Sequence, residues 1–193
     1  WMGKAILWMV GWQPVGQPPG VSKCVIVAAP HTSNWDAVIM LAIASVLRIR
    51  VSWMIKHTWF RGPMGSLLRA LGAVSIDRTS KHHVVDQLID TFKHTERLLL
   101  LITPEGTRGR VDYWKSGFYH IALGAGVPLA LGVVDYEKKR GGFGPLYMPT
   151  GDIKKDMDVL REHFAQQRAK YPECVGPVRL REETHVPQEA STR

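Results

Sequence analysis

Cysteine is nearly missing from this chain. Only Cys24 and Cys174 occur, with no C-x-x-C pair, which argues against a disulfide framework or a cysteine-held zinc and makes a reducing cytoplasm the default expectation. Acidic residues are scarce as well, 17 against 25 lysines and arginines, for a formal charge of +8. Such a balance calls for an acidic partner: nucleic acid, an anionic membrane surface or a phosphorylated substrate. Nucleic acid is set aside, because no zinc-finger spacing accompanies the charge and the aromatics do not form a stacking platform. No apolar stretch reaches the ~20 residues that a membrane-spanning helix needs, and no internal repeat is visible.

What is present is enough for one domain. A chain of 193 residues with 45% apolar content can bury a full core. Trp1 to Trp12 carries three tryptophans and one lysine, without the charged start or small-residue cleavage site of a signal peptide. Tryptophan favours the water-lipid boundary, so this stretch reads as an interfacial helix or as a first helix packed on the core. Pro14 to Gly20 reads as a loop, and the polar stretch 177–193 as a mobile tail.

Between these ends, buried apolar runs alternate with helical patterns. Strands are expected at Cys24–Ala29, Val51–Lys56, Ala73–Ile76, Leu98–Thr103 and Ala130–Val134. Helices are expected at Asp36–Leu47, at Met64–Leu71 with Gly72 closing it, at Val84–Phe92, from Lys115 through Leu123, and around Met157, Leu160 and Phe164. The pattern predicts an α/β fold, a mostly parallel central sheet flanked by helices, with its site at the carboxyl ends of the strands. Gly124-Ala125-Gly126 is half of a dinucleotide fingerprint and carries no weight. Lys138-Lys139-Arg140 reads as a solvated turn able to touch anionic headgroups. His82, His83 and His94 read as solvated, and no metal site is expected.

The chemistry gathers at His31-Thr32-Ser33-Asn34-Trp35-Asp36, between the first strand and a helix that Ser33 or Asn34 would cap. At this spacing the carboxylate can fold back onto one ring nitrogen and leave the other free as a base. Taken alone, the pair also fits a turn histidine bonded to backbone, with Asp36 complementing the helix dipole. Ser33 is poorly placed as a nucleophile, two residues from its own base on one tight turn, so the attacking hydroxyl is read as the substrate's. Downstream, the Leu98–Thr103 run enters Pro104-Glu105-Gly106-Thr107-Arg108. Arg108 offers a planar fork to two phosphate oxygens, and the backbone at Gly106 can approach an anion closely. Arg78 fits a phosphate contact or a pairing with Asp77 or Glu105. Lys56 and Lys115 are candidates for the rim, and backbone amides near Gly106 or after His31 for stabilising an oxyanion.

His31-x-x-x-x-Asp36 with Pro104-Glu105-Gly106-Thr107-Arg108, and Gly72 to Arg78 between them, resembles the lysophosphatidic acid and glycerol-3-phosphate acyltransferase family over residues 23 to 135. The resemblance implies transfer of a fatty acyl group from acyl-CoA or acyl carrier protein to a hydroxyl of a lysophospholipid or glycerol phosphate. It implies work at the cytoplasmic face of a membrane, by a peripheral or monotopic protein, with no cofactor beyond the acyl donor. His31 is then the general base and Asp36 its orienting partner, while Arg78, Glu105, Gly106, Thr107 and Arg108 match positions associated with the acceptor's phosphate. The acceptor favoured is 1-acyl-glycerol-3-phosphate, giving phosphatidic acid. Competing readings are another lysolipid, water, or a catalytically silent membrane-binding module. The chain departs from the family's pattern in its fourth block, where Pro128 stands but Leu131 replaces a second proline, and in its reduced hydrophobic segments ahead of the histidine.

Overall fold

The computed structural model describes residues 2–56, 62, 65–66, 72–76 and 81–184. Its spine is β2 (Lys23–Val27), an all-apolar run after Lys23 that is buried on both faces. Val25 and Val27 face one core while Cys24 and Ile26 face another, the alternation of side chains that a strand imposes. Around it a seven-stranded sheet forms in the order β1, β7, β6, β2, β5, β3, β4, with β1 at Gln13–Val15, β3 at Ser52–Lys56, β4 at Ala73–Ile76, β5 at Leu98–Ile102, β6 at Leu129–Asp135 and β7 at Arg140–Tyr147. From β6 to β4 all pairings are parallel, with Val27 beside Ile102 on one side and Leu131 on the other. β7 turns back, antiparallel to β6, and β1 pairs parallel with β7, so these two strands run opposite to the other five. The α/β expectation of a mostly parallel sheet therefore holds.

Among the described residues, five α-helices with complete bounds flank the sheet: α1 (Met2–Val10), α2 (Asn34–Val46), α3 (Lys81–His94), α4 (Gly117–Ala125) and α5 (Ile153–Ala165). The larger core joins Leu88 and Phe92 of α3, Phe118 and Ile121 of α4, and Met157, Leu160 and Phe164 of α5 to the Val25 face. The opposite face is covered by α2, against which α1 packs through Leu7. That second layer is thinner. Leu98, Leu100 and Ile102 of β5 are buried, whereas Leu99 and Leu101 on the α2 side are only partly so, contrary to the expectation of a fully buried strand.

Two further expectations change, and one strand stands where none was expected. Pro14 lies inside β1 rather than in a loop, which proline tolerates because β1 is the sheet's edge strand. The strand β7 has no counterpart in the sequence reading, since Gly141, Gly142, Gly144 and Pro145 look like a loop. At Gly142 the missing side chain is essential: a β-carbon would stand 1.9 Å from the Val15 carbonyl oxygen of β1. Lastly, residues 177–184 of the presumed tail are packed. Leu180 is fully buried, Trp114 pairs with it as an isolated bridge, and Glu183 meets Arg161 at 2.7 Å. Of the expected helix Met64–Leu71 only residues 65 and 66 are described, both helical, and Asp77 and Arg78 lie outside the described residues.

Candidate active site

Three adjacent parallel strands deliver the site at their carboxyl ends. β2 leads to His31, β5 to the turn Pro104–Arg108, and β6 to Tyr136. After β2 the chain passes through the cis peptide Ala29–Pro30 to His31, and α2 begins with a reciprocal cap. Ser33 Oγ accepts the Trp35 N–H at 3.2 Å, and Asp36 Oδ2 accepts the Ser33 N–H at 2.9 Å. The same Oδ2 accepts the Thr32 N–H at 2.8 Å and meets His31 Nδ1 at 3.1 Å. One carboxylate oxygen thus both starts the helix and holds the imidazole.

Asp36 is buried, with only 4% of its surface exposed. Burial by itself would raise its pKa, but hydrogen bonds from His31, Tyr136, Ser33 and Thr32 together outweigh it and hold the carboxyl below the ordinary aspartate value. An ionised carboxylate can only accept, so the proton of this contact sits on Nδ1 and the lone pair of His31 is left at Nε2. That is the tautomer a general base at Nε2 requires.

His31 is shared by two cavities. One is apolar, about 430 Å³, and runs beneath α2 past Met40, Ala44, Val51, Trp53, Leu101 and Phe143. The other, about 360 Å³, is polar and is lined by Asn34, Gly106, Thr107 and Arg108. A long apolar chain fits the first and an anionic headgroup the second, with the imidazole between them.

The sequence-predicted residues divide accordingly. Gly106, Thr107 and Arg108 line the polar pocket, where the Arg108 guanidinium donates to Asn34 Oδ1. Glu105 turns inward: it is buried and Oε1 accepts the His31 backbone N–H at 3.1 Å. Burial, only partly offset by its hydrogen bonds, raises the Glu105 pKa, and Oε2 has no partner among the described residues. Lys115 joins the turn, its backbone N–H donating to the Pro104 carbonyl at 2.8 Å. The amides of His31, Thr32, Ser33 and Trp35 are all engaged by side chains, so none of these four is a ready oxyanion donor. Among the described residues no cluster of histidine, cysteine, aspartate or glutamate could hold a metal ion.

Sequence reasoning missed Tyr136, whose hydroxyl donates to Asp36 Oδ1 at 2.6 Å across a separation of 100 residues. It also missed Asn34 as the partner of Arg108, and Tyr171, whose N–H reaches Thr32 Oγ1 at 3.3 Å. For Tyr136 one signal existed: it directly follows a buried strand, where sites in parallel sheets gather.

Among solved structures, the 1-acyl-sn-glycerophosphate (LPA) acyltransferase PlsC from Thermotoga maritima is similar, with a TM-score of 0.58 and 18% identity, covering 87% of this chain and 78% of that one. At that identity the likeness speaks for the fold. No curated protein matches. An acyltransferase family model matches residues 16–130. That span holds the His31–Asp36 pair, the Pro104–Arg108 turn and more than half of the sequence, so this chain belongs to the acyltransferase family.

Proposed function

We propose that this acyltransferase moves a fatty acyl group from acyl-CoA or acyl carrier protein to the free hydroxyl of a lysophospholipid, with 1-acyl-glycerol-3-phosphate the best-fitting acceptor. The observation that carries the reading is the place of His31, between an apolar cavity of about 430 Å³ and a polar pocket holding Arg108. His31 Nε2 takes the acceptor's hydroxyl proton as the oxygen attacks the thioester carbonyl carbon. The tetrahedral intermediate collapses, the carbon–sulfur bond breaks, and the thiolate recovers the proton from the imidazolium. A thioester already has a good leaving group, so positioning and one base account for the chemistry.

Arg108 and Lys115 are the cations for the acceptor's phosphate, with Gly106 and Thr107 forming the floor beneath it. Arg78 belongs to the same proposal through its family resemblance. Glu105 holds the histidine loop from behind, through the bond to the His31 amide.

A peripheral, membrane-facing position fits the surface. Trp8 and Met9 of α1 are 83% and 69% exposed, and Trp35, Val38 and Leu41 form an exposed apolar stripe along α2. Leu41 also lines the apolar cavity, so a lipid chain can enter from that side. No helix among the described residues is long and apolar enough to cross a membrane.

The test is thiol release from acyl-CoA and from acylated carrier protein against a panel of lysolipids, with products identified by mass. Expected is acceptor-dependent release with a new diacyl phospholipid. Free fatty acid at a rate indifferent to acceptor would replace this reading with a thioesterase. No release from either donor, with vesicle binding intact, would favour a silent membrane module.

A further inference from the structure

Oxygen Oδ2 of Asp36 takes all of its hydrogen bonds from its own loop: Thr32 N, Ser33 N and His31 Nδ1. Among the described residues Oδ1 has a single partner, Tyr136, and at 2.6 Å it is the shortest of the four contacts. The phenol comes from outside the loop, and its place is set independently of it. The Tyr136 ring stands edge-on to buried Trp12, with centroids 4.8 Å apart at 84°, and its backbone N–H donates to the Arg168 carbonyl at 2.8 Å. A carboxylate can twist about its last torsion, and donors on one oxygen alone leave that twist loosely held. A charge-assisted donor on the second oxygen fixes the plane.

We propose that Tyr136 is a positioning residue of the acyl transfer, clamping the Asp36 carboxylate so that Oδ2 stays aimed at His31 Nδ1 throughout the proton's transfer to and from Nε2. The inference rests on the proposed function in taking His31 as the base. It adds that the dyad is a triad in which the outer member never touches substrate.

Tyr136→Phe keeps the ring and its contact with Trp12 while deleting the hydroxyl. The expected result is a kcat about tenfold lower, the scale of one charge-assisted hydrogen bond lost from the transition state, with KM for donor and acceptor unchanged. In proton spectra the His31 Nδ1 resonance should move upfield, since a carboxylate free to twist bonds that N–H less well. In a double-mutant cycle, Tyr136→Phe added to Asp36→Asn should slow the enzyme no further, since the phenol acts through the carboxylate. Raised KM values with unchanged kcat, or additive losses in the cycle, would overturn the proposal. Should the wild-type protein acylate no lysolipid, the acyl-transfer reading falls on that result. Tyr136 is then judged by the Nδ1 resonance alone, and an unmoved signal in a folded Tyr136→Phe protein refutes the clamp.

Discussion

The Lys115 side chain lies across Gly106 so closely that a β-carbon on the glycine would stand 2.4 Å from Nζ. Gly106 has φ +66, in the left-handed region, and this backbone conformation is what favours glycine here, since the lysine tip could move aside. The ammonium is thereby seated on the turn that floors the polar pocket.

Gly106→Ala is therefore expected to push the ammonium off the turn. Stability should fall by about 1–2 kcal/mol, the cost of a side chain in left-handed backbone, and KM should rise for phosphate-bearing acceptors. Urea melts and acceptor titrations check both parts. A variant with wild-type acceptor KM would remove Lys115 from the phosphate site.

Arg108→Ala should raise KM for a phosphate-bearing lysolipid by roughly tenfold or more, the scale of a charge-assisted bidentate contact. A neutral acceptor such as a monoacylglycerol should be used as well as before. Equal losses on both acceptors would mean that Arg108 supports the fold through Asn34 rather than the substrate.

His31→Ala and Asp36→Ala should each lower turnover by ~10²-fold or more, as expected for general-base chemistry. Their stabilities should differ. Asp36→Ala strips the acceptor from the N–H groups of Thr32 and Ser33, both buried, at a cost of about 1–3 kcal/mol. His31→Ala leaves that cap intact. Calorimetry beside the thiol-release assay separates the two effects.

Acid should destabilise the fold late. Asp36 and Asp156 are both held below the ordinary aspartate value of 3.8: burial opposes this, but for Asp156 the hydroxyls of Tyr147, Thr150 and Tyr119 outweigh it. A depressed folded-state pKa favours the fold above the unfolded value, and that contribution drains away as pH falls through the folded one. Glu105 runs oppositely, its raised pKa favouring the fold below 4.5 and ceasing to help as pH climbs through the folded value. Urea midpoints should thus stay high down to about pH 4 and then drop, and Asp156→Asn should flatten the drop. A loss centred well above pH 4 would contradict this.

Trp8→Ser with Met9→Ser should weaken binding to anionic vesicles by at least roughly tenfold. Burying either side chain in lipid is worth about 1.5–3 kcal/mol, and tenfold in affinity corresponds to 1.4. The same variant should keep its activity on a detergent-dispersed acceptor. Sedimentation with vesicles measures the first effect and thiol release the second.

Much of the site is legible in the linear chain because its parts are local. The cap at Ser33 and the five-residue step from His31 to Asp36 place imidazole, amides and carboxylate within one helical turn. Periodicity alone likewise located β2, β5, α3 and α5, each of which has a strong apolar pattern. β7 was not legible, because its glycines answer to neighbours that sequence cannot place, Val15 for Gly142 and Ile43 for Gly141. The packed segment ending at Thr184 was missed for a related reason: one buried leucine and an Arg161–Glu183 pair hold it, and neither makes a periodic pattern.

By itself, then, the order of residues determined that an imidazole meets a carboxylate at a capped helix start and that a glycine–arginine turn follows a strand, since short-range backbone geometry brings each together within a few positions. Tertiary structure alone decided that Tyr136 completes the carboxylate's bonding, that Glu105 faces the histidine loop, and that His31 stands between an apolar and a polar cavity. Those relations depend on which strands lie side by side. That order is set by packing between segments some 70 to 100 residues apart, which no local preference encodes.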